Sequence, residues 1–335
     1  MRMLVVRTDF LGDSVLSSTF IRMLKQLPNV QIDVLCYEYN FVAFQYNKHI
    51  EHTYCLYKTS DSDEQIISNQ QVLIQLKQNK YTAVFMLNRD LKTYKSLKYV
   101  NCTKVFGHKL GVKSMRSKIF CRLTGFTGKY HYLPYDNSIH EVVNQYNLLN
   151  FGLQLLNISK SIALDNHCYF YTANFNPDEP HKLDSETIVI NISGRHESLK
   201  YIPSSLARCI IEDLIKLNHK VLIIATNDDM SRAQNIIAEF NNQQVELYTE
   251  SDLFNVADTM AKYQYYIGAD GGLLHIAAGL HMRCIGLFHA QNINAWHPWS
   301  PNQICLQTTT RKIYDLTAHD VIAAFKELEM KYASN

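Results

Sequence analysis

The 335 residues carry a formal net charge of +2 and are 47% hydrophobic, a composition that excludes a disordered or fibrous chain and leaves room for two domains of ordinary size. No run of about 18 apolar residues occurs, so no membrane-spanning helix is expected, and Arg7, Asp9 and Asp13 break the first apolar run too early for a secretory signal. Cys36, Cys55, Cys102, Cys121, Cys168, Cys209, Cys284 and Cys305 are scattered with no C-x-x-C spacing, which points to a reduced cytoplasm and no structural zinc.

The apolar run Met3-Leu4-Val5-Val6 predicts a strand over 3–7 that leads into a helix over 13–27. Between them stands R-T-D-F-L-G-D-S, residues 7–14, at the carboxyl end of a strand, where open α/β sheets collect ligands. The dinucleotide fingerprint G-x-G-x-x-G is absent, because Gly12 is the only glycine before Gly107. Asp13 therefore has two readings, a helix-capping acid or a carboxylate facing a site. Further strands are predicted at 31–36, 82–87 and 102–106, with helices at 64–79 and at 139–151, the latter stopped by Gly152.

Between Asp90 and Asp136 the chain has no acid, whereas Lys92, Lys95, Lys98, Lys104, Lys109, Lys113, Arg116, Lys118, Arg122 and Lys129 all fall there. So one-sided a block repels itself unless an anionic partner neutralises it. Phosphorylated lipid, an anionic membrane surface and nucleic acid all fit the charge, and Tyr94, Tyr99, Phe106, Phe120, Phe126 and Tyr130 interleave it. No nucleic-acid motif accompanies them, so nucleic acid ranks last.

The polar, proline-bearing stretch Asn174 to Pro180 marks a boundary. Beyond it a second alternation places strands at 187–192, 220–225, 244–247, 264–268 and 283–288, with helices at 203–217, 229–240, 252–261 and 272–280. The reading is of two doubly wound units: residues 1–173, a linker 174–186, residues 187–315, and a closing helix in 316–335 that packs back on the first domain. Ligands of such proteins favour the cleft between domains.

The segment YYIGADGGLLHIAAGLHMRCIGLF, Tyr265 to Phe288, reads strand, sharp turn, helix, strand. Glycines at the turn let an anion approach the free N–H groups of the helix start. Asp270 as an N-cap, Gly271 and Gly272 as a tight turn and His275 as a structural histidine is the alternative.

Three segments in order, the opening M-R-x-L-V-V-R-T-D-x-L-G-D, the central SGRHESLKYIPSSLA and GADGGLLHIAAGL, make the chain resemble glycosyltransferase family 9, the bacterial heptosyltransferases of lipopolysaccharide core assembly. The stretch HEVVNQYNLLNFGL, His140 to Leu153, is similar to that family's interdomain helix, so the likeness covers nearly the whole chain. The resemblance implies an α/β chain of GT-B fold, two Rossmann-like domains facing a central cleft, with acceptor on the first and nucleotide sugar on the second.

It also implies an inverting, metal-independent transfer of heptose from ADP-heptose to the anionic inner core, by a cytoplasmic protein with peripheral contact at the inner membrane and no bound cofactor. Asp13 would be the base. Lys200 would meet the diphosphate, assisted by Ser193, Gly194, Gly271, Gly272 and Leu273. Asn227 or Asp228 would reach the ribose, His275 the phosphates, and Asp270 the loop or the donor sugar. Thr8, Gly12, Lys113, Arg116, Lys118 and Arg122 would take the acceptor.

The chain departs from the family pattern in two places, Thr19 where proline is usual and Ile202 where tryptophan is usual before Pro203. The first is expected at a helix start and the second to alter donor contacts. Asp61-Ser62-Asp63 spells the D-x-D with which metal-dependent sugar transferases of another fold hold a cation, but it sits in an acidic, serine-bearing loop. Transfer of another sugar to a different surface glycan, and a silent nucleotide-sugar-binding scaffold, are the alternatives. Retention of both Asp13 and Lys200 argues against the scaffold, and the missing fingerprint against a nicotinamide oxidoreductase.

Overall fold

The computed structural model of the chain describes residues 1–59, 61–89, 93, 97, 100–108, 129–195, 199–241, 243–290 and 292–333. The chain forms two compact units, Met1–Asp165 and Asn166–Asn335. Each is built on a six-stranded sheet whose pairings are all parallel.

In the first unit β1 (Arg2–Val6), β2 (Gln31–Tyr37), β3 (His52–Leu56), β4 (Lys80–Met86), β5 (Asn101–His108) and β6 (Tyr130–Leu133) are ordered β3-β2-β1-β4-β5-β6. Around them run α1 (Leu11–Lys25), α2 (Asp63–Gln78) and α3 (Glu141–Leu155). In the second unit β7 (Asp184–Asn191), β8 (Lys220–Ala225), β9 (Val245–Thr249), β10 (Tyr263–Ala269), β11 (Arg283–Leu287) and β12 (Gln303–Leu306) are ordered β12-β11-β10-β7-β8-β9. Its helices are α4 (Ser204–Lys216), α5 (Met230–Ile237), α6 (Leu253–Met260), α7 (Gly272–Gly279), the short α8 (Ile293–Trp296) and α9 (Ala318–Ala333).

Both orders reverse direction at a central pair, β1 with β4 and β7 with β10. The loops leaving those strands diverge to opposite sides and open a crevice at the carboxyl edge of each sheet. The central strands are apolar because both faces are covered, and Met3, Leu4, Val5 and Val6 are fully buried. The strands absent from the sequence reading, β3, β6 and β12, all lie at a sheet edge, where burial is partial and the apolar run correspondingly broken.

Four expectations are corrected. The unit boundary comes earlier than 174–186: Cys168 N donates to Trp299 O at 2.7 Å and Phe170 N to Gly279 O at 2.8 Å, so this stretch already belongs to the second unit. The closing helix α9, expected on the first domain, sinks Val321, Ala324, Phe325 and Leu328 into the core of the second beside Ile210, Leu214 and Tyr265. Thr19 lies fully buried in the middle of α1 and not at a helix start. Gly152 does not stop its helix, which continues to Leu155.

The role of Gly152 is instead close approach. A Cβ there would lie 2.6 Å from Phe85 Cε1 and 3.2 Å from Phe106 Cδ2, so its absence lets α3 sit on the aromatic face of the sheet. Gly152→Ala gains about 1 kcal/mol of helix propensity but overpacks rigid rings, at a cost of about 1–3 kcal/mol. A net loss of stability is expected, read as a lower urea midpoint for the first unit.

Candidate functional site

The crevice of the first unit is organised by one buried cation. Arg7 follows β1, is 1% exposed and is enclosed by the sheet end, the start of α1 and the start of α3. Its guanidinium donates to Asp13 Oδ1 at 2.8 Å, to Glu141 Oε1 at 2.9 Å and to Leu87 O at 3.0 Å. Its Nε forms an ion pair with Asp9 Oδ1 at 2.7 Å, although neither atom completes a hydrogen bond. Glu141 is fixed in turn by Tyr135, whose hydroxyl donates to Oε2 at 2.7 Å, and by Gln145, whose amide donates to Oε1 at 3.1 Å.

Burial pulls the Arg7 guanidinium down, but Asp9, Glu141 and Asp13 outweigh that and raise it further above its ordinary value. The carboxyls respond in the opposite sense. Burial raises Asp13 above the usual carboxylate range, with Arg7 opposing and Glu141 assisting. Burial likewise raises Asp9, to about 7, against Arg7 and with Asp13 and Glu141 assisting.

Asp13 stands in the first turn of α1, but Phe10 holds the cap position and the Asp13 side chain is turned to Arg7. The capping reading of Asp13 therefore gives way to a place in an ion cluster. Thr8 is 5% exposed, with its hydroxyl 2.6 Å from that of Thr93 and accepting from Asn88 at 2.9 Å. Its carbonyl accepts from Tyr39 at 2.7 Å, while Asp9 O accepts from Asn40 at 2.7 Å. The loop that carries the acids is thus tied to both β2 and β4 sides of the crevice. Gly12 is half-buried in the first turn of α1.

Lys113, Arg116, Lys118 and Arg122 lie outside the described residues, with most of the basic block. Of its described members, Lys104 donates to Leu155 O and so ties β5 to the end of α3, while Lys129 is exposed. Asp61-Ser62-Asp63 is a helix start: Ser62 caps α2 by accepting from Gln65 N at 3.3 Å, and Asp61 N donates back to the Gln65 side chain at 2.9 Å. Among the described residues no group of three or more His, Cys, Asp or Glu side chains could hold a metal ion.

The second crevice lies beyond β7 and β10. The chain leaves β7 through Ser193 and Gly194, and Arg195 pairs with Lys200 in an isolated antiparallel bridge. A Cβ on Gly194 would stand 1.7 Å from Lys200 O, so only glycine lets the backbones of 194 and 200 approach this closely. Lys200 Nζ lies 2.6 Å from Asp270 Oδ2, across the reversal point of the sheet. Asp270 is therefore an ion-pair partner, and Gly271 takes the cap position of α7. Gly271 is exposed and Gly272 and Leu273 are half-buried; a Cβ on Gly271 would meet only Ala269 O, at 3.8 Å. The first N–H groups of α7 have no partner within the helix.

Around this turn Ser193 Oγ accepts from Thr226 N at 2.9 Å, joining the β7 and β8 exits. Asn227 and Asp228 are exposed in the single turn after β8. His275, 5% exposed, is pulled down to about 4 by burial, with Asp270 opposing and His297 and Lys200 assisting. It is therefore neutral at physiological pH and brings no positive charge to this crevice.

Three members of these clusters carry no local sequence signal for their place there: Glu141 and Tyr135 join Arg7, Asp9 and Asp13 at the first crevice, and His297 comes within electrostatic reach of His275 at the second. The carbonyls of Ile192 and Ile202 are held by Arg232 at 2.9 and 2.7 Å, and Arg232 is paired with the buried Asp229 at 2.9 Å. Ile202 itself is fully buried in the core.

Residues 71–324 match the family model of glycosyltransferase family 9 (heptosyltransferase), and the chain belongs to that family; it is a glycosyltransferase. Its fold is that of Escherichia coli heptosyltransferase WaaC with ADP, at a TM-score of 0.82 and 17% identity over 98% of this chain and 100% of that one. A family 9 glycosyltransferase from Veillonella parvula gives 0.79 and 17% over 98% and 97%. The E. coli ADP-heptose LPS heptosyltransferase II gives 0.75 and 15% over 99% of each chain. No curated protein matches in the sequence comparison. The two-sheet α/β architecture is therefore GT-B.

Replacing Arg7 tests the first cluster as a structural unit. Arg7→Ala leaves three buried or half-buried carboxylates without their cation, a change that costs about 3–5 kcal/mol when a buried pair is broken. The loss should be largest at pH 8 and smaller at pH 5, because Asp9 and Asp13, raised by burial, take up protons as the pH falls and remove the repulsion. Thermal melting of wild type and variant across that range measures it.

Proposed function

We propose that the chain transfers a heptose from ADP-heptose, with inversion and without a metal, to an acidic lipopolysaccharide inner-core acceptor. The observation that carries this reading is the desolvated Asp13 carboxylate, held by Arg7 and raised towards the range of a general base. The donor is suggested by the similar E. coli structures, one bound to ADP and another to ADP-2-deoxy-2-fluoro heptose.

In this reaction Asp13 takes the proton of the acceptor hydroxyl as its oxygen bonds to the anomeric carbon. The bond from that carbon to the diphosphate oxygen breaks, and its electron pair leaves with ADP. Lys200 and the N–H groups at Gly271, Gly272 and Leu273 meet the charge that develops on the leaving group. Asp270 positions Lys200 through their ion pair, while the three donors of an ammonium leave it able to face a phosphate as well. Ser193 and Gly194 shape that turn, His275 offers a neutral N–H, and Asn227 or Asp228 meets the ribose hydroxyls. Thr8 and Gly12 shape the acceptor side, with Lys113, Arg116, Lys118 and Arg122 as contacts for core carboxylates and phosphates. The protein works at the cytoplasmic face of the inner membrane; no described helix is long and apolar enough to cross it.

Incubation with ADP-heptose and truncated core lipids, followed by product mass, tests the assignment. Asp13→Asn should retain ADP affinity and lose about 10²- to 10⁴-fold in turnover, because an amide cannot accept the proton. A variant that keeps more than half the wild-type rate at saturation rules out Asp13 as the base.

Lys200→Ala should weaken ADP binding by about 10- to 100-fold in calorimetry, the worth of a charge-assisted contact, and should slow transfer further because the charge on the diphosphate grows towards the transition state. Unchanged affinity together with unchanged rate moves the diphosphate site elsewhere.

A further inference from the structure

Two of the cysteines stand side by side. In the parallel pairing of β2 with β3, Cys36 is the register partner of Cys55, and strands so paired run about 4.8 Å apart. That spacing lies inside the window of about 4.4–6.8 Å between Cα atoms that a disulfide spans. Direction agrees with distance. Leu35, Tyr37, Tyr54 and Leu56, which flank the two cysteines along their strands, all enter one core cluster packed against α2. By strand alternation Cys36 and Cys55 therefore share the opposite face of the sheet. Both are free thiols.

The two differ in access. Cys36 is fully buried, whereas Cys55 lies on β3, at the edge of the sheet, and is half-buried. A small reagent arriving from solvent meets Cys55 first. The thiols also touch, Cys36 donating to the Cys55 sulfur. That bond holds Cys55 below the ordinary thiol value, against burial and the charge of Glu38. The same bond, together with burial, Cys55 and Glu38, holds Cys36 well above it. One sulfur is thus ready to react while the other keeps its proton.

We propose that Cys36 and Cys55 are a site of reversible covalent modification, closed to a disulfide by hydroperoxides, with Cys55 as the reacting thiol and Cys36 as the resolving one. The Cys55 thiolate attacks the terminal oxygen of the hydroperoxide. The O–O bond breaks, and its electron pair leaves with the other oxygen, which takes up a proton as an alcohol, or as water from hydrogen peroxide. Cys55 is then a sulfenic acid. The Cys36 sulfur attacks the Cys55 sulfur, the S–O bond breaks, and the oxygen leaves as water with the proton of Cys36. Two thiols are oxidised, one peroxide is reduced, and a dithiol reverses the change by exchange. The new bond would close at the end of β2, directly before the turn Glu38–Ala43, whose Tyr39 and Asn40 hold the Thr8 and Asp9 carbonyls at the first crevice.

The test exposes the reduced full chain to a few molar equivalents of hydrogen peroxide, alkylates it in denaturant and digests it with trypsin. Cleavage after Lys25, Lys48 and Lys58 puts Cys36 and Cys55 on separate peptides, 26–48 and 49–58. Mass spectrometry should show these two joined, lighter by two hydrogen atoms than their sum. The joined species should form at least several-fold faster than the exposed Cys209 oxidises and should disappear on treatment with dithiothreitol. In Cys36→Ala, Cys55 should stop at the sulfenic acid and be captured by dimedone. In Cys55→Ala, Cys36 should remain an alkylatable thiol. The proposal is overturned if wild type gives no such cross-link, if Cys55 advances to the sulfinic acid while Cys36 stays free, or if Cys36 oxidises equally fast in Cys55→Ala. The cross-link is read in wild type, so a variant that fails to fold leaves that outcome decisive. No readout depends on the sugar transferred.

Discussion

A guanidinium sealed at the end of a central strand is a demanding neighbour. Arg7 is 1% exposed and keeps its charge, so it must be met by acids wherever the chain can deliver them. They come from the loop after β1, from the first turn of α1 and from the start of α3, and each brings its element with it. The entry of α1, the seat of α3 on the sheet and the orientation of Asp13 are therefore one electrostatic solution. The same cluster explains why this crevice has no phosphate loop, since a surplus of carboxylates repels phosphate.

The second unit repeats the strand order of the first and reverses its electrostatics. At its reversal point one cation meets one acid, Lys200 with Asp270, and glycines stand where the first unit has side chains. The neutrality of His275 keeps a further positive charge out of the buried side of the site. Identical topology thus yields one crevice with a surplus of carboxylates around a buried cation and another with a matched ion pair beside glycines at a helix start. In each case the residues at the strand ends make the difference and the sheet only presents them.

The parts of this architecture that could be read from the chain are those whose cause is local. β1, β8 and β10 show as apolar runs because they are buried on both faces, and the G-A-D-G-G turn shows because strand, glycines and helix follow one another. Edge strands such as β6, with no fully buried residue, leave no such run. Glu141 carried no local signal for its role, as it reaches Arg7 over a separation of 134 residues. Gly152 misled for the opposite reason: glycine near an apparent helix end imitates a stop, whereas its cause is contact with Phe85 and Phe106 across the sheet face. A buried arginine directly after a strand is the signal that would have called for distant acids.

The substitution at Ile202 shows how a family position can change its side chain without dismantling the site. Its side chain is fully buried with Ile192 and Leu206, and its carbonyl is one of two that Arg232 grips at the base of the Lys200 turn. The half-buried Tyr201 next to it carries Arg232 over its ring at 5.3 Å. The aromatic group beside Lys200 thus stands at 201, and the position usually occupied by tryptophan contributes packing. Because Asp229 pairs with Arg232 and is itself buried, the brace under the turn is held by charge from the β8 side. The path of the chain from Ile192 to Ile202 consequently depends on Arg232 and Asp229 holding the backbone of those two residues together, and much less on which apolar side chain fills the core beneath them.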